Sequence, residues 1–183
     1  MRHNHWARIA GCATLALTVL VAVGCGGKGS DTTTSGLDLS SEDAFLRDMI
    51  PHHEGAVEWA KLVLERGEHP ELREMAASTL KGSTDDLEAM HRLLGPGKST
   101  HAHSHGGEHF GPAGIAQIRA GAVNDKILLS WMIDHHQVGT DAGHGTVPKI
   151  ENPEIKTLVD NMNGRLDKGL ERMRSWRTEW YGA

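Results

Sequence analysis

The hexapeptide Met49-Ile50-Pro51-His52-His53-Glu54 returns 83 positions later as Met132-Ile133-Asp134-His135-His136-Gln137. At the same offset, Glu68-x-Pro70-Glu71 aligns with Glu151-x-Pro153-Glu154, and Leu87-Glu88-x-Met90 aligns with Leu170-Glu171-x-Met173. A unit of about 50 residues therefore occurs twice, and such self-similarity indicates a duplicated structural unit that buries its apolar face against its copy.

Amphipathic periodicity predicts two helices in each repeat. The first is predicted over 41–66, after an N-cap signature at Ser41, and the second begins at Pro70 and ends before Gly95. The third begins at about Asn124; three glycines within 139–145 leave its end open, because each costs about 1 kcal/mol relative to alanine. The fourth begins at Pro153. Two such hairpins predict an all-α, up-down four-helix bundle.

The chain divides into three predicted regions. Residues 1–24 have a basic start and an apolar run from Ile9 to Val23, as in a secretory signal peptide. The end of this run, Ala22-Val23-Gly24-Cys25, resembles a bacterial lipoprotein cleavage site, so Cys25 is the predicted lipidated residue. Residues 25–40 contain a Gly/Ser/Thr-rich tether. The bundle takes 41–183, with repeat 1 at about 43–94, a linker at 95–114 and repeat 2 at about 124–180.

Charge and cysteine content exclude several classes of protein. Residues 1–24 contain Arg2, Arg8 and no acidic residue, so their removal takes the formal net charge from −5 to −7. An acidic chain of this kind argues against a nucleic-acid partner. The predicted mature chain keeps Cys25 alone, which leaves no intramolecular disulfide and no free catalytic thiol if Cys25 is lipidated. No glycine-rich phosphate loop follows a predicted strand.

Both histidine pairs fall on the inward arcs of their predicted helices. Each buried imidazole needs a hydrogen-bond partner, and to build this arrangement twice is costly unless the rings serve a purpose. Imidazole and thioether together suit copper, above all Cu(I), better than Mg²⁺ or Ca²⁺. The predicted ligands are the histidines and methionines that share these arcs: Met49, His52, His53, Met90, Met132, His135, His136 and Met173.

The linker between the repeats carries a second group of potential ligands. Spaced histidines in a glycine-rich segment predict an accessory, exposed metal-collecting segment, although a solvated polar linker explains them equally well. The histidines concerned are His101, His103, His105 and His109.

The run from Asp43 to Ala56 contains Phe45 and then Met49-Ile50-Pro51-His52-His53-x-Gly55-Ala56. Together with the Pro-Glu opening and the Leu-Glu-x-Met ending that follow, it resembles the DUF305 family over about 43–180. The resemblance implies a secreted or lipid-anchored, ferritin-like four-helix bundle, and copper binding or resistance in some members. Four positions depart from the pattern: Trp59 and Ala142 replace the usual Met, and Ser83 and Leu166 replace the usual Gln. The missing methionines weaken a thioether-rich copper site.

The sequence is compatible with three functions. The favoured one is an envelope lipoprotein, held by Cys25 on the outer side of the cytoplasmic membrane, that binds copper for sequestration or for exchange with a donor or acceptor protein. The second is a non-catalytic interaction lipoprotein with structural histidines. The third is a di-iron oxidase, for which Glu88-x-x-His91 supplies one Glu-x-x-His motif, whereas Arg174 replaces the second histidine. The favoured function requires no catalysis.

Overall fold

The structure is a computed structural model that describes residues 36–98 and 110–182. Within these ranges it contains five α-helices: α1 at Glu42–Arg66, α2 at Pro70–Leu94, α3 at Pro112–Ala120, α4 at Asp125–Thr146 and α5 at Pro153–Tyr181. A short 3-10 helix, Val147–Lys149, joins α4 to α5. The all-α bundle predicted from the sequence is confirmed.

The four long helices form the two predicted hairpins. The most extensive contacts join α1 to α2 and α4 to α5, and α1 also packs on α4. Local signals fix the helix starts: Ser41 Oγ accepts from Ala44 N, Asn124 Oδ1 accepts from Ile127 N, and Pro70 and Pro153 stand in the first turns of α2 and α5.

The short helix α3 was not predicted, and it begins inside the proposed linker 95–114. Ile115 of α3 and the preceding Phe110 are buried in the apolar cluster that contains Trp59 and Leu62 of α1. Trp59 and Leu62 are fully buried in this cluster. The α3 segment covers the face of α1 that a four-helix bundle would leave in solvent.

Two apolar clusters fill the two ends of the bundle. One contains the C-terminal half of α1 and the N-terminal half of α4, represented by Ala60 and Leu128. The other contains the N-terminal half of α1 and the N-terminal half of α5, represented by Phe45 and Val159. The histidine pairs lie on α1 and α4 at the level between the two clusters.

Candidate metal centre

The centre of the bundle holds a row of four imidazoles. The rings of His52 and His135 stack with their centroids 3.7 Å apart and their planes at 27°. His53 is next to His52, with their centroids 5.9 Å apart, and His136 is next to His135, with their centroids 5.8 Å apart. All four side chains are buried, as their inward arcs predict.

Within the described residues, two hydrogen bonds hold these rings. The His135 Nε2 atom donates to the His52 carbonyl oxygen at 3.0 Å, and the His53 Nδ1 atom donates to the Met49 carbonyl oxygen at 3.1 Å. Four buried ring nitrogens have no hydrogen-bond partner within residues 36–98 and 110–182: His52 Nδ1, His52 Nε2, His135 Nδ1 and His136 Nδ1. Unsatisfied buried polar atoms are costly, typically about 1–3 kcal/mol each, and such a concentration at one level of the core requires an explanation.

The environment of His52, His135 and His136 favours the neutral imidazole. Burial lowers the pKa of His52 and of His135 well below 6.5, and the neighbouring imidazoles lower both further. Burial and the proximity of His53 lower the pKa of His136 to about 4, although the Met132 carbonyl partly opposes this. A neutral imidazole has a lone pair available for a metal ion at neutral pH.

Glycines of α4 and α5 make room for two of the four rings. A Cβ atom added to Gly139 of α4 would lie 3.2 Å from His52 Cε1, and one added to Gly169 of α5 would lie 2.9 Å from His136 Nε2. At Gly143, an added Cβ would come within 1.9 Å of Asn163 Oδ1. Two of the three glycines that left the end of the third predicted helix open, Gly139 and Gly143, are therefore close-contact positions, and α4 continues through them to Thr146.

A cleft of about 270 Å³ between α2 and α5 reaches the histidine row from outside. His53, His135 and His136 line its inner end. Beside them, Asp86 of α2 faces His53 with 3.5 Å between Oδ2 and Nε2, and the same Oδ2 atom accepts a hydrogen bond from Arg165 Nη2 of α5. Burial opposes ionisation of Asp86, but the neighbouring His53 and Arg165 side chains outweigh burial, so the pKa of Asp86 is lowered.

The four predicted methionine ligands are fully buried in the two apolar clusters next to the row. Met49 and Met90 belong to one cluster, and Met132 and Met173 belong to the other. One predicted methionine pair therefore lies on each side of the level of the histidines. Their role as ligands, like that of the histidines, stays a prediction.

The geometry limits the ligand sets that the described part of the chain offers. Within residues 36–98 and 110–182, no group of three His, Cys, Asp or Glu side chains is arranged to hold one metal ion. A central site must therefore use thioethers or a rearranged histidine row. Glu88 and His91 are exposed on α2, so the di-iron motif lies away from the bundle interior. His101, His103, His105 and His109 lie outside the described residues, as does Cys25.

Sequence reasoning missed the residues that surround the row. Phe110 contacts it from the α3 side, with its ring centroid 6.0 Å from His52 and 5.8 Å from His135. Asp86 and Arg165 look like ordinary surface charges in a helical pattern. One signal was available for Asp86: at the repeat offset it aligns with Gly169, so the two repeats differ at this position.

A family profile described as "Domain of unknown function (DUF305)" matches residues 42–177. The chain belongs to the DUF305 family. No curated protein sequence matches it. Among solved structures, "CopM in the Cu(I)-bound form" is 25% identical with a TM-score of 0.68, covering 77% of this chain and 98% of that one. "CopM in the apo form" is 24% identical with a TM-score of 0.64, and the match covers 76% of this chain and 97% of that one. "CopM in the Ag-bound form (by co-crystallization)" is 24% identical with a TM-score of 0.65, and the match covers 76% of this chain and 96% of that one.

The positions that depart from the DUF305 pattern have defined places in the fold. Trp59 Nε1 donates to the Leu128 carbonyl oxygen at 2.8 Å, which ties α1 to α4. Ala142 is fully buried in the cluster of Met49 and Met90. Ser83 and Leu166 line the cleft that leads to the histidine row. None of the helices in the described ranges has the length and apolarity needed to cross a membrane.

Proposed function

We propose that this protein is an envelope lipoprotein that binds a transition-metal ion, with copper preferred, for sequestration or for delivery to an acceptor protein. The observation that carries the proposal is the row of buried imidazoles with four unpartnered ring nitrogens. A metal ion would satisfy nitrogen lone pairs for which the surrounding protein offers no donor.

The residues present fit a soft or borderline metal. Neutral imidazoles from the two histidine pairs and thioethers from the flanking methionines are the donor types that copper prefers over Mg²⁺ or Ca²⁺. The structures titled as Cu(I)-, Cu(II)- and Ag-bound CopM share this fold, which supports metal binding by the present chain. The predicted ligands are His52, His53, His135 and His136, with Met49, Met90, Met132 and Met173.

Melting curves with and without metal test the central site. A ligand that binds only the folded state at a hundredfold excess over its dissociation constant stabilises that state by about 2.7 kcal/mol. We expect Cu(I) or Cu(II) to raise the melting temperature of the wild type, and we expect the double variant His53→Ala/His136→Ala to lose this rise. The matched control His91→Ala/His144→Ala removes two exposed imidazoles and should retain it.

An equal metal-dependent rise in the wild type and the central double variant would place binding elsewhere and leave the duplicated pairs as core residues. The linker histidines are then the first alternative. Deleting 101–109 should leave the bundle folded and lower the stoichiometry or the rate of metal loading. Unchanged stoichiometry and loading rate would show that the linker takes no part in metal binding.

Cys25 supplies the proposed attachment to the membrane. Stable anchoring needs more than one acyl chain, which a lipidated N-terminal cysteine would carry. Cys25→Ala should release the protein from the membrane fraction, whereas Cys12→Ala, which removes the other cysteine of the sequence, should leave it there. If wild type and Cys25→Ala fractionate alike as soluble protein, the anchor is wrong.

A further inference from the structure

The inner end of the α2–α5 cleft contains a second pair of potential ligands that the methionine–histidine prediction does not use. We propose that His53 Nε2 and Asp86 Oδ2 form an entry site for a divalent cation, and that the Arg165 guanidinium occupies this site until the cation displaces it. The inference rests on the proposed function, because it names a further site for the same cargo.

The separation of the two donor atoms suits one metal ion. His53 Nε2 and Asp86 Oδ2 are 3.5 Å apart. Two donors bound at about 2.0–2.2 Å in tetrahedral geometry lie about 3.4 Å apart. A direct hydrogen bond between them would instead bring the two atoms to about 2.7–3.2 Å. The observed spacing is therefore long for a hydrogen bond and suited to two neighbouring positions in a coordination shell.

The orientation of His53 is that of a metal-ligating histidine. Its Nδ1 atom faces the Met49 carbonyl oxygen, which can only accept, so Nδ1 carries the proton. In the neutral ring, Nε2 then presents its lone pair toward Asp86 and the cleft. Metal-bound histidines almost always donate their other ring N–H to a carbonyl or carboxylate in this way.

Arg165 supplies the positive charge that this arrangement needs. Without a cation, the Asp86 carboxylate would face a nitrogen lone pair at a position where its side chain is only 11% exposed. Arg165 compensates through its hydrogen bond to the same Oδ2 atom, and its own side chain is 51% exposed. An exposed guanidinium can swing into water at low cost, whereas a divalent ion carries twice its charge and binds at shorter range.

The surroundings leave the displaced side chain and the ion room to move. Gly82 lies beside Arg165, where an added Cβ atom would meet only Arg165 Nε at 3.9 Å. Small Ser78, Thr79 and Ser83 line the cleft next to it. The donor set of one imidazole and one carboxylate is harder than the methionine–histidine set, so it favours a divalent ion such as Zn²⁺ or Cu(II) over Cu(I).

Cu(II) titration of full-chain variants tests the site. To remove Cu(II) binding by the linker, every protein in the set has the four linker histidines replaced by asparagine. Asp86→Asn should lower Cu(II) affinity by at least about tenfold, the low end of what the loss of a partner of a metal-binding histidine costs, and should change the EPR spectrum of bound Cu(II). The control Asp85→Asn removes an exposed carboxylate one residue away and should change neither.

Arg165 has the opposite expected effect. Arg165→Gln should raise the association rate and the affinity for Cu(II), because the competing guanidinium is gone. The control is Arg172→Gln. Arg172 lies two turns further along the same side of α5 and lines the same cleft, and its replacement should leave the association rate and the affinity unchanged. If Arg165→Gln weakens binding or matches the control, the displacement is wrong.

A purely structural ion pair gives a different result. In that case Asp86→Asn and Arg165→Gln lower the melting temperature of the metal-free protein alike, while Cu(II) affinity and the EPR spectrum stay as in the parent. This outcome overturns the entry site. It is distinct from failure of the proposed function, in which the parent protein itself binds neither Cu(I) nor Cu(II).

Discussion

The two histidine pairs hold equivalent positions in the repeat, but the residues opposite them differ. His53 faces Asp86, which is paired with Arg165. His136 faces Gly169, the residue that aligns with Asp86 at the repeat offset, and an added Cβ there would lie 2.9 Å from its ring. The first pair is therefore in a charged environment, and the second is packed against a bare helix backbone.

This difference shows how a duplicated unit acquires two roles. The helices that carry the histidines, α1 and α4, preserve the motif, whereas the partner helices α2 and α5 have diverged at the positions that face it. The first half relies on an ion pair that a cation can replace. The second half relies on close packing of a neutral ring, and each half should respond to a different perturbation.

Acid should produce the largest effect, and His136 of the second pair shows how this loss of stability arises. Above pH 6.5, His136 is neutral in both the folded and the unfolded chain. As the pH falls below 6.5, His136 binds a proton in the unfolded chain but not in the folded chain. The free energy of unfolding therefore decreases until the pH reaches the folded-state pKa of about 4. This corresponds to about 3 kcal/mol from His136 alone, and the lowered pKa values of His52 and His135 add to the loss.

Urea unfolding of metal-free protein between pH 7 and pH 4.5 measures this loss. His136→Gln should flatten the pH dependence, because its side chain does not titrate. A slope identical to that of the wild type would mean that His136 is protonated in the folded state, and the neutral-ring description of the second pair would be wrong.

The next effect concerns the glycine opposite His136. Gly169→Ala should be less stable than Gly164→Ala by about 1–3 kcal/mol, because the added methyl forces the buried imidazole to move. Gly164 is also in α5 and has open space around it, so Gly164→Ala should gain up to about 1 kcal/mol from helix propensity. Thermal unfolding of both variants gives the comparison. Equal stability would show that the ring can shift freely and is not held by packing.

Helix starts were predictable because the signals that determine them are local. The first helix was predicted over 41–66 and is observed at Glu42–Arg66, and α2 begins at the predicted Pro70. In contrast, the end of α4 depends on what its glycines contact in another helix, as Gly143 does with Asn163. That contact leaves no trace in the local sequence.

The site was predictable to a similar extent. The inward arcs placed both histidine pairs in the core, because helical periodicity alone decides that. They did not reveal that His52 would stack on His135, since this depends on the relative level of α1 and α4. Asp86 was missed because a buried charge on an otherwise polar face becomes visible only when its partners on α1 and α5 are in place.

The smallest predicted effect compares the starts of the partner helices. Asn152 caps α5 by accepting from Glu154 N at 2.9 Å, whereas His69, its repeat equivalent, makes no cap and instead contacts Asp125 with 2.6 Å between Nδ1 and Oδ2. Asn152→Ala should therefore cost about 1 kcal/mol of unfolding free energy, as cap removal typically does. The same change at exposed Asn161, in the interior of α5, should cost nothing, because alanine is the better helix former there. Equal unfolding midpoints for the two variants would mean that the N-terminus of α5 is held by Glu42, whose Oε1 atom accepts from Glu151 N and Asn152 N, and not by its own cap.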